Sequence, residues 1–144
     1  MSLKQSLENE EKKPLIVEDC LQLIDAEVKE KSGFGGMAIK AGYKAVKGVK
    51  PGFVKKVVHD LLPDFADALE PLSEEAVAAG KSVGAHLKAN SGRAADALLG
   101  VTDSKAERST NGLVKSTYKK LRGSAKKNVE AAVPRLADLV DAHS

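Results

Sequence analysis

Residues Gly35–Gly48 read GGMAIKAGYKAVKG, and Asn111–Gly123 read NGLVKSTYKKLRG. Aligned without gaps, Ile39 meets Val114, Lys40 meets Lys115 and Ala41 meets Ser116. Tyr43 meets Tyr118, Lys44 meets Lys119 and Val46 meets Leu121. Lys47 meets Arg122 and Gly48 meets Gly123. In both phrases the apolar residues recur every three to four positions, the period of a helix with one apolar face. The flanks agree as well. Leu21, Ile24 and Glu30–Ser32 correspond to Leu98, Val101 and Glu107–Ser109, and Pro63–Asp67 (PDFAD) to Pro134–Asp138 (PRLAD). The spacing shifts by two residues at a glycine loop and by four, about one helical turn, before the proline. The chain therefore reads as an internal duplication of a unit made of a helix, a glycine loop, a basic helix and a proline-marked helix. The competing reading is two amphipathic helices of convergent composition.

Outward from these phrases the periodicity stays helical. Val17, Leu21, Ile24 and Val28 form one stripe, with Pro14 suited to a first helical turn. Ser32 and the glycines Gly33, Gly35 and Gly36 read as a stop. Pro51 opens a further helix carrying Val54, Val58, Leu61, Phe65 and Leu69, with Pro63 as a kink or boundary. Ser73 and Ser91 read as N-caps. Val129, Val133, Leu136 and Val140 belong to a last helix. No strand-like alternation is present. The expectation is an all-α, compact multi-helix bundle. Residues 1–144 would form one domain, with 14–69 the first repeat unit, 70–90 a linking helix and 91–140 the second unit, the halves related by a pseudo-twofold.

With 42% apolar and 30% charged residues, the 144-residue chain is long enough to bury a core. Aromatics are 3% with no Trp, so that core is built from aliphatic side chains. No apolar run reaches the roughly 18 residues of a membrane span. The N-terminal MSLKQSLENEEKK has no apolar h-region, against a signal peptide. One cysteine, Cys20, excludes an internal disulfide framework and fits a cytoplasmic, or at least reducing, setting.

Several segments, LIDAEVKEKSG (23–33), VKPG (49–52), LLPDFADALEP (61–71), ADALLGVTDSKAERSTN (95–111) and YKKLRGSAKK (118–127), resemble a family of small bacterial, actinobacterial-type helical proteins of unknown function. The similarity spans nearly the whole chain except the first dozen residues and the stretch around Gly80–Asn90. It implies a bacterial cytoplasmic protein and brings no activity, cofactor or catalytic residue.

Few residues nominate chemistry. Cys20 lies on the apolar stripe and reads as a core thiol. His59, His86 and His143 lack a local metal-ligand spacing. The glycine-rich GFGGMA lacks GxxxxGK[ST] and a preceding strand, against a nucleotide cradle. Gly42, with Ala38 and Ala45, and Gly80 with Gly84 read as sites of close helix packing. Asp67 and Asp138 recur between the halves. Each reads as the partner of a lysine or as a turn cap, with a carboxylate pair for acid–base or metal chemistry as the alternative. No catalytic residue, metal site, cofactor or small-molecule substrate is assigned.

Charge is the anomaly. Gly33–His59 holds six lysines and no acid, and Thr110–Asn128 holds five lysines, one arginine and no acid. Lys40, Lys44 and Lys47 form one helical stripe, repeated by Lys115, Lys119 and Arg122. Like charges four apart disfavour each helix by a few tenths of a kcal/mol per pair. Acidic helices of the same chain, another subunit of a homo-oligomer, or a polyanion (nucleic acid, anionic lipid or polyphosphate) could offset that. Two readings follow: a non-enzymatic structural or interaction module, and a polyanion binder acting through the two basic helices.

Overall fold

The structure, a computed structural model, describes residues 3–31, 33–48 and 52–143, with side chains for all of these except residues 3 and 33–35. The expected stop at Ser32 and start at Pro51 lie outside the described residues. The described chain is seven helices packed into a bundle, with no strand: α1 (Leu3–Glu8), α2 (Lys12–Glu30), α3 (Gly33–Lys47), α4 (Phe53–Ala78), α5 (Val83–Ala89), α6 (Ser91–Arg108) and α7 (Gly112–Ala142).

Two apolar clusters hold the bundle. In the larger, Leu69 and Leu72 of α4 meet Leu87 of α5, Ala94 of α6 and Val133, Ala137 and Val140 of α7. In the smaller, Ile16 and Val17 of α2 pack on Val58 and Leu62 of α4. α3 and the first half of α7 contribute to neither buried set. They lie against each other at Gly42, where an added Cβ would sit 3.1 Å from Thr117 Cγ2 and 3.0 Å from Leu121 Cδ1.

The glycines Gly33, Gly35 and Gly36 do not end α2; they form the first turn of α3. A Cβ on Gly36 would come within 2.6 Å of the Lys31 carbonyl carbon, so the sharp entry from α2 admits no side chain there. Ser73 is no cap: α4 runs through Pro63, Pro71 and Ser73 to Ala78, and the Ser73 side chain is buried. The chain turns at Gly80, whose φ of +68° is the left-handed conformation glycine adopts freely. Residues 70–90 are thus the end of α4, this turn and the short α5 rather than one helix. Ser91 is already helical, and Asn90 stands at the N-cap of α6.

The basic phrase and the last helix expected after it are one helix, α7, which passes through Gly123 and Pro134. Asn111 caps it by accepting from the Val114 N–H at 3.1 Å. A glycine inside a helix costs about 1 kcal/mol, which the buried residues of the helix offset. Pro63 stands fifteen positions after Gly48, but Pro134 stands eleven after Gly123. The four-residue difference falls where α3 and α4 are separate helices and α7 is continuous. Gly48 lies just past α3, its N–H bonded to Lys44 O at 3.1 Å, whereas Gly123 is interior.

Candidate functional site

The six residues of the two basic stripes divide into two groups. Lys40 and Lys44 on α3 and Lys115 and Lys119 on α7 are exposed, and none forms an ion pair with another described residue. Lys47 and Arg122, the last member of each stripe, each reach a carboxylate of the preceding helix. Lys47 lies 4.0 Å from Asp25 of α2 and 5.0 Å from the centre of the Tyr43 ring. Arg122 grips Asp103 of α6 with two bonds, Nε at 2.8 Å and a terminal nitrogen at 3.1 Å.

The tyrosine one turn before each of these cations joins the same carboxylate. Tyr43 donates to Asp25 at 2.6 Å, and Tyr118 donates to Asp103 while Thr102 Oγ1 lies 2.8 Å from its hydroxyl. Both rings are half-buried, and both hydroxyls find the polar partner that a tyrosine in such a place needs. Burial, and then the neighbouring carboxylate, pushes both phenols above their ordinary range, so they are neutral donors and not activated nucleophiles. Bonds from Arg122 and Tyr118 hold the Asp103 carboxyl below its ordinary value.

Beside the first of these sets lies an open cleft of about 220 Å³, lined by Leu21, Asp25, Tyr43, Lys47, Phe53 and Lys55 among others. Lys55 is engaged with Glu18 at 3.3 Å. Asp67 and Asp138 each take a lysine of their own: Asp67 meets Lys4 at 3.3 Å and Asp138 meets Lys88 at 2.9 Å, all at exposed positions. Cys20 packs against the smaller cluster, and burial, with Asp19 adding, pushes its thiol up to about 11. Among the described residues no three His, Cys, Asp or Glu side chains are placed to hold a metal ion, and no helix is long and apolar enough to cross a membrane.

Three polar sets had no local signal in the sequence because their members are far apart in it. Glu75 accepts two bonds from Arg93, at 2.9 and 2.6 Å, and lies 3.2 Å from His86 Nε2. Arg135 of α7 binds Glu27 and Glu30 at the end of α2. His143 Nε2 lies 2.6 Å from Asp19 Oδ2, and its carbonyl accepts from Ser6 Oγ at 3.2 Å, which ties the end of the chain to α1 and α2.

The fold is an all-α bundle. The chain belongs to a family of unknown function (DUF6918), which matches residues 3–144. No curated protein and no solved structure matches it.

Proposed function

We propose that the protein is a non-enzymatic interaction module that binds polyanions through α3 and the first half of α7. The observation that carries this is the group of four exposed lysines, Lys40, Lys44, Lys115 and Lys119, with no ion pair to a described residue. Acidic residues of the same chain pair with Lys47 and Arg122 of the stripes and with Lys55, Lys56 and Lys126 beside them, but not with these four. Concentrated lysine charge without acids attracts phosphate or sulfate chains and releases their counterions. The non-enzymatic part rests on neutral tyrosines, a thiol held protonated and the recurring aspartates Asp67 and Asp138, each paired with a lysine.

We also propose that the module is internally duplicated, with α2, α3 and α4 corresponding to α6 and α7. Three features support this. A tyrosine and cation at matching positions hold an aspartate of the preceding helix in both parts, although Asp103 stands one position on from Thr102, the residue aligned with Asp25. Leu62, Ala66 and Leu69 on α4 and Val133, Ala137 and Val140 on α7 fall at matching positions of the proline-anchored alignment, and all six are buried. Gly42 and Thr117, matching positions of the two phrases, touch each other, as residues on a twofold axis do.

The test is titration of labelled duplex DNA and of heparin at low salt. Wild-type protein binds both, with affinity falling steeply as salt rises, and the variant K40E/K44E/K115E/K119E does not bind. Wild-type protein that ignores DNA, heparin and anionic vesicles overturns the reading. If its mass then rises with concentration, the basic flank serves self-association instead.

A further inference from the structure

The four stripe lysines without an ion pair do not make one surface. Gly42 is a residue of α3 that faces α7. At 3.6 residues per turn, Lys40 and Lys44 each lie about 160° around α3 from Gly42. Thr117 and Leu121 are the residues of α7 that meet Gly42. Lys115 and Lys119 likewise lie about 140–180° from the middle of that contact. The two lysine pairs therefore stand back to back on the outer sides of a two-helix layer. Helices in contact lie 8–10 Å apart axis to axis, so the two faces are about 20 Å apart.

We infer that one copy of the protein bridges two separate duplex nucleic-acid segments, Lys40 and Lys44 holding the phosphates of one and Lys115 and Lys119 those of the other. This rests on the polyanion reading above and adds its valency and its partner. A flat bilayer can cover one of two opposed faces but not both. A stiff duplex, with a persistence length of about 50 nm, cannot bend around a small domain to reach the second face, so the second face takes a second duplex. Each face offers lysine point charges, without the arginine forks that read base edges or the aromatic rings that stack on single-stranded bases. Contact is therefore with the phosphate backbone, independent of sequence. Each face neutralises few phosphates, so bridging is weak per contact and sensitive to salt.

The experiment uses full-length protein, a duplex immobilised on beads and a second, fluorescent duplex in solution at about 50 mM salt. Binding to a single duplex is measured in parallel, and light scattering gives the protein's mass. All four positions are exposed, so K40E/K44E and K115E/K119E should fold, which circular dichroism checks. The expected result is capture of the fluorescent duplex by wild-type monomer, at least a tenfold loss of capture in either double variant, and single-duplex binding retained by both. Wild-type binding without capture overturns the bridging while leaving the polyanion reading intact. Capture that survives in both double variants, or that tracks a dimer, places the second contact elsewhere and overturns it too. Absence of duplex binding by the wild type, with or without binding to anionic vesicles, overturns the nucleic-acid partner. Failure on DNA, heparin and vesicles alike removes the underlying reading.

Discussion

Gly42 of α3 lies so close to Thr117 of α7 that a Cβ at position 42 would stand 3.1 Å from the threonine methyl. It would also stand 3.0 Å from the far end of the Leu121 side chain. Both neighbours are side-chain atoms that can move. Gly42→Ala should therefore fall within about 1 kcal/mol of wild type, a small clash set against the roughly 1 kcal/mol helix propensity gained. Gly42→Leu has no such escape and should cost about 1–3 kcal/mol by separating α3 from α7. Denaturant titration of the two variants checks this. Equal stability of Gly42→Leu and wild type would mean the two helices do not touch there.

Gly84 at the start of α5 presents the opposite case. A Cβ there would meet the backbone oxygen of Ala137 at 2.5 Å and Asp141 Oδ2 at 2.3 Å. Backbone of a helix anchored in the core, as at the fully buried Ala137, cannot yield as a leucine tip can. The same aspartate holds the helix end, accepting from the Gly84 N–H at 2.9 Å and from Ser82 Oγ at 3.1 Å. Gly84→Ala should cost about 3 kcal/mol, more than Gly42→Leu, and Asp141→Ala about 1 kcal/mol through loss of the cap. Thermal melts of the three variants give the order.

Much of this was legible from the chain alone, and the parts that were not share a cause. The 3.6-residue period of Val17, Leu21 and Ile24, and of Val133 and Val140, gave the helices and their buried faces. Gly42 and Gly84 were readable as close-packing sites because small residues on a helix face let another backbone approach. What misled was local punctuation. Gly123 looks like a break between the basic helix and the last one, yet α7 crosses it because Asn111 caps its start and Val133, Ala137 and Val140 are fixed in the core. Ser73 looks like a cap, yet α4 continues through it. The lysine stripes were visible as spacing. Which lysines are free was not, since Asp25 and Asp103 come from other helices.

Cys20 gives a check on the smaller cluster. It packs on the α2 side of that cluster, and burial raises its thiol to about 11. At pH 8 almost none is thiolate, the reactive form. Native protein should react with a disulfide reagent at least tenfold more slowly than protein in denaturant. Raising the pH toward 11 should speed the native reaction. Fast labelling at pH 8 would show that α2 leaves the bundle on the timescale of the reaction.

Glu75 sets an acid limit on stability. Two bonds from Arg93, with His86 as a further partner, hold its carboxyl down to about 2 from an ordinary 4.5. In the unfolded chain those partners are gone and the carboxyl takes up its proton near 4.5. A group whose pKa is lower in the folded state stabilises the fold above its unfolded value and stops doing so as the pH falls through its folded value. The Glu75 contribution should be complete above about pH 5 and should fade between about pH 4.5 and 2. Glu75→Gln keeps the shape of the side chain but carries no charge for Arg93. Its melting temperature should lie below that of wild type at pH 6, and the gap should close steadily as the pH falls toward 2. Arg93→Gln should behave in the same way, since it removes the other half of the pair. Melts followed by circular dichroism across pH 2.5–6 measure the gap. A gap that stays constant over that range would mean that Glu75 acts through packing rather than through its charge.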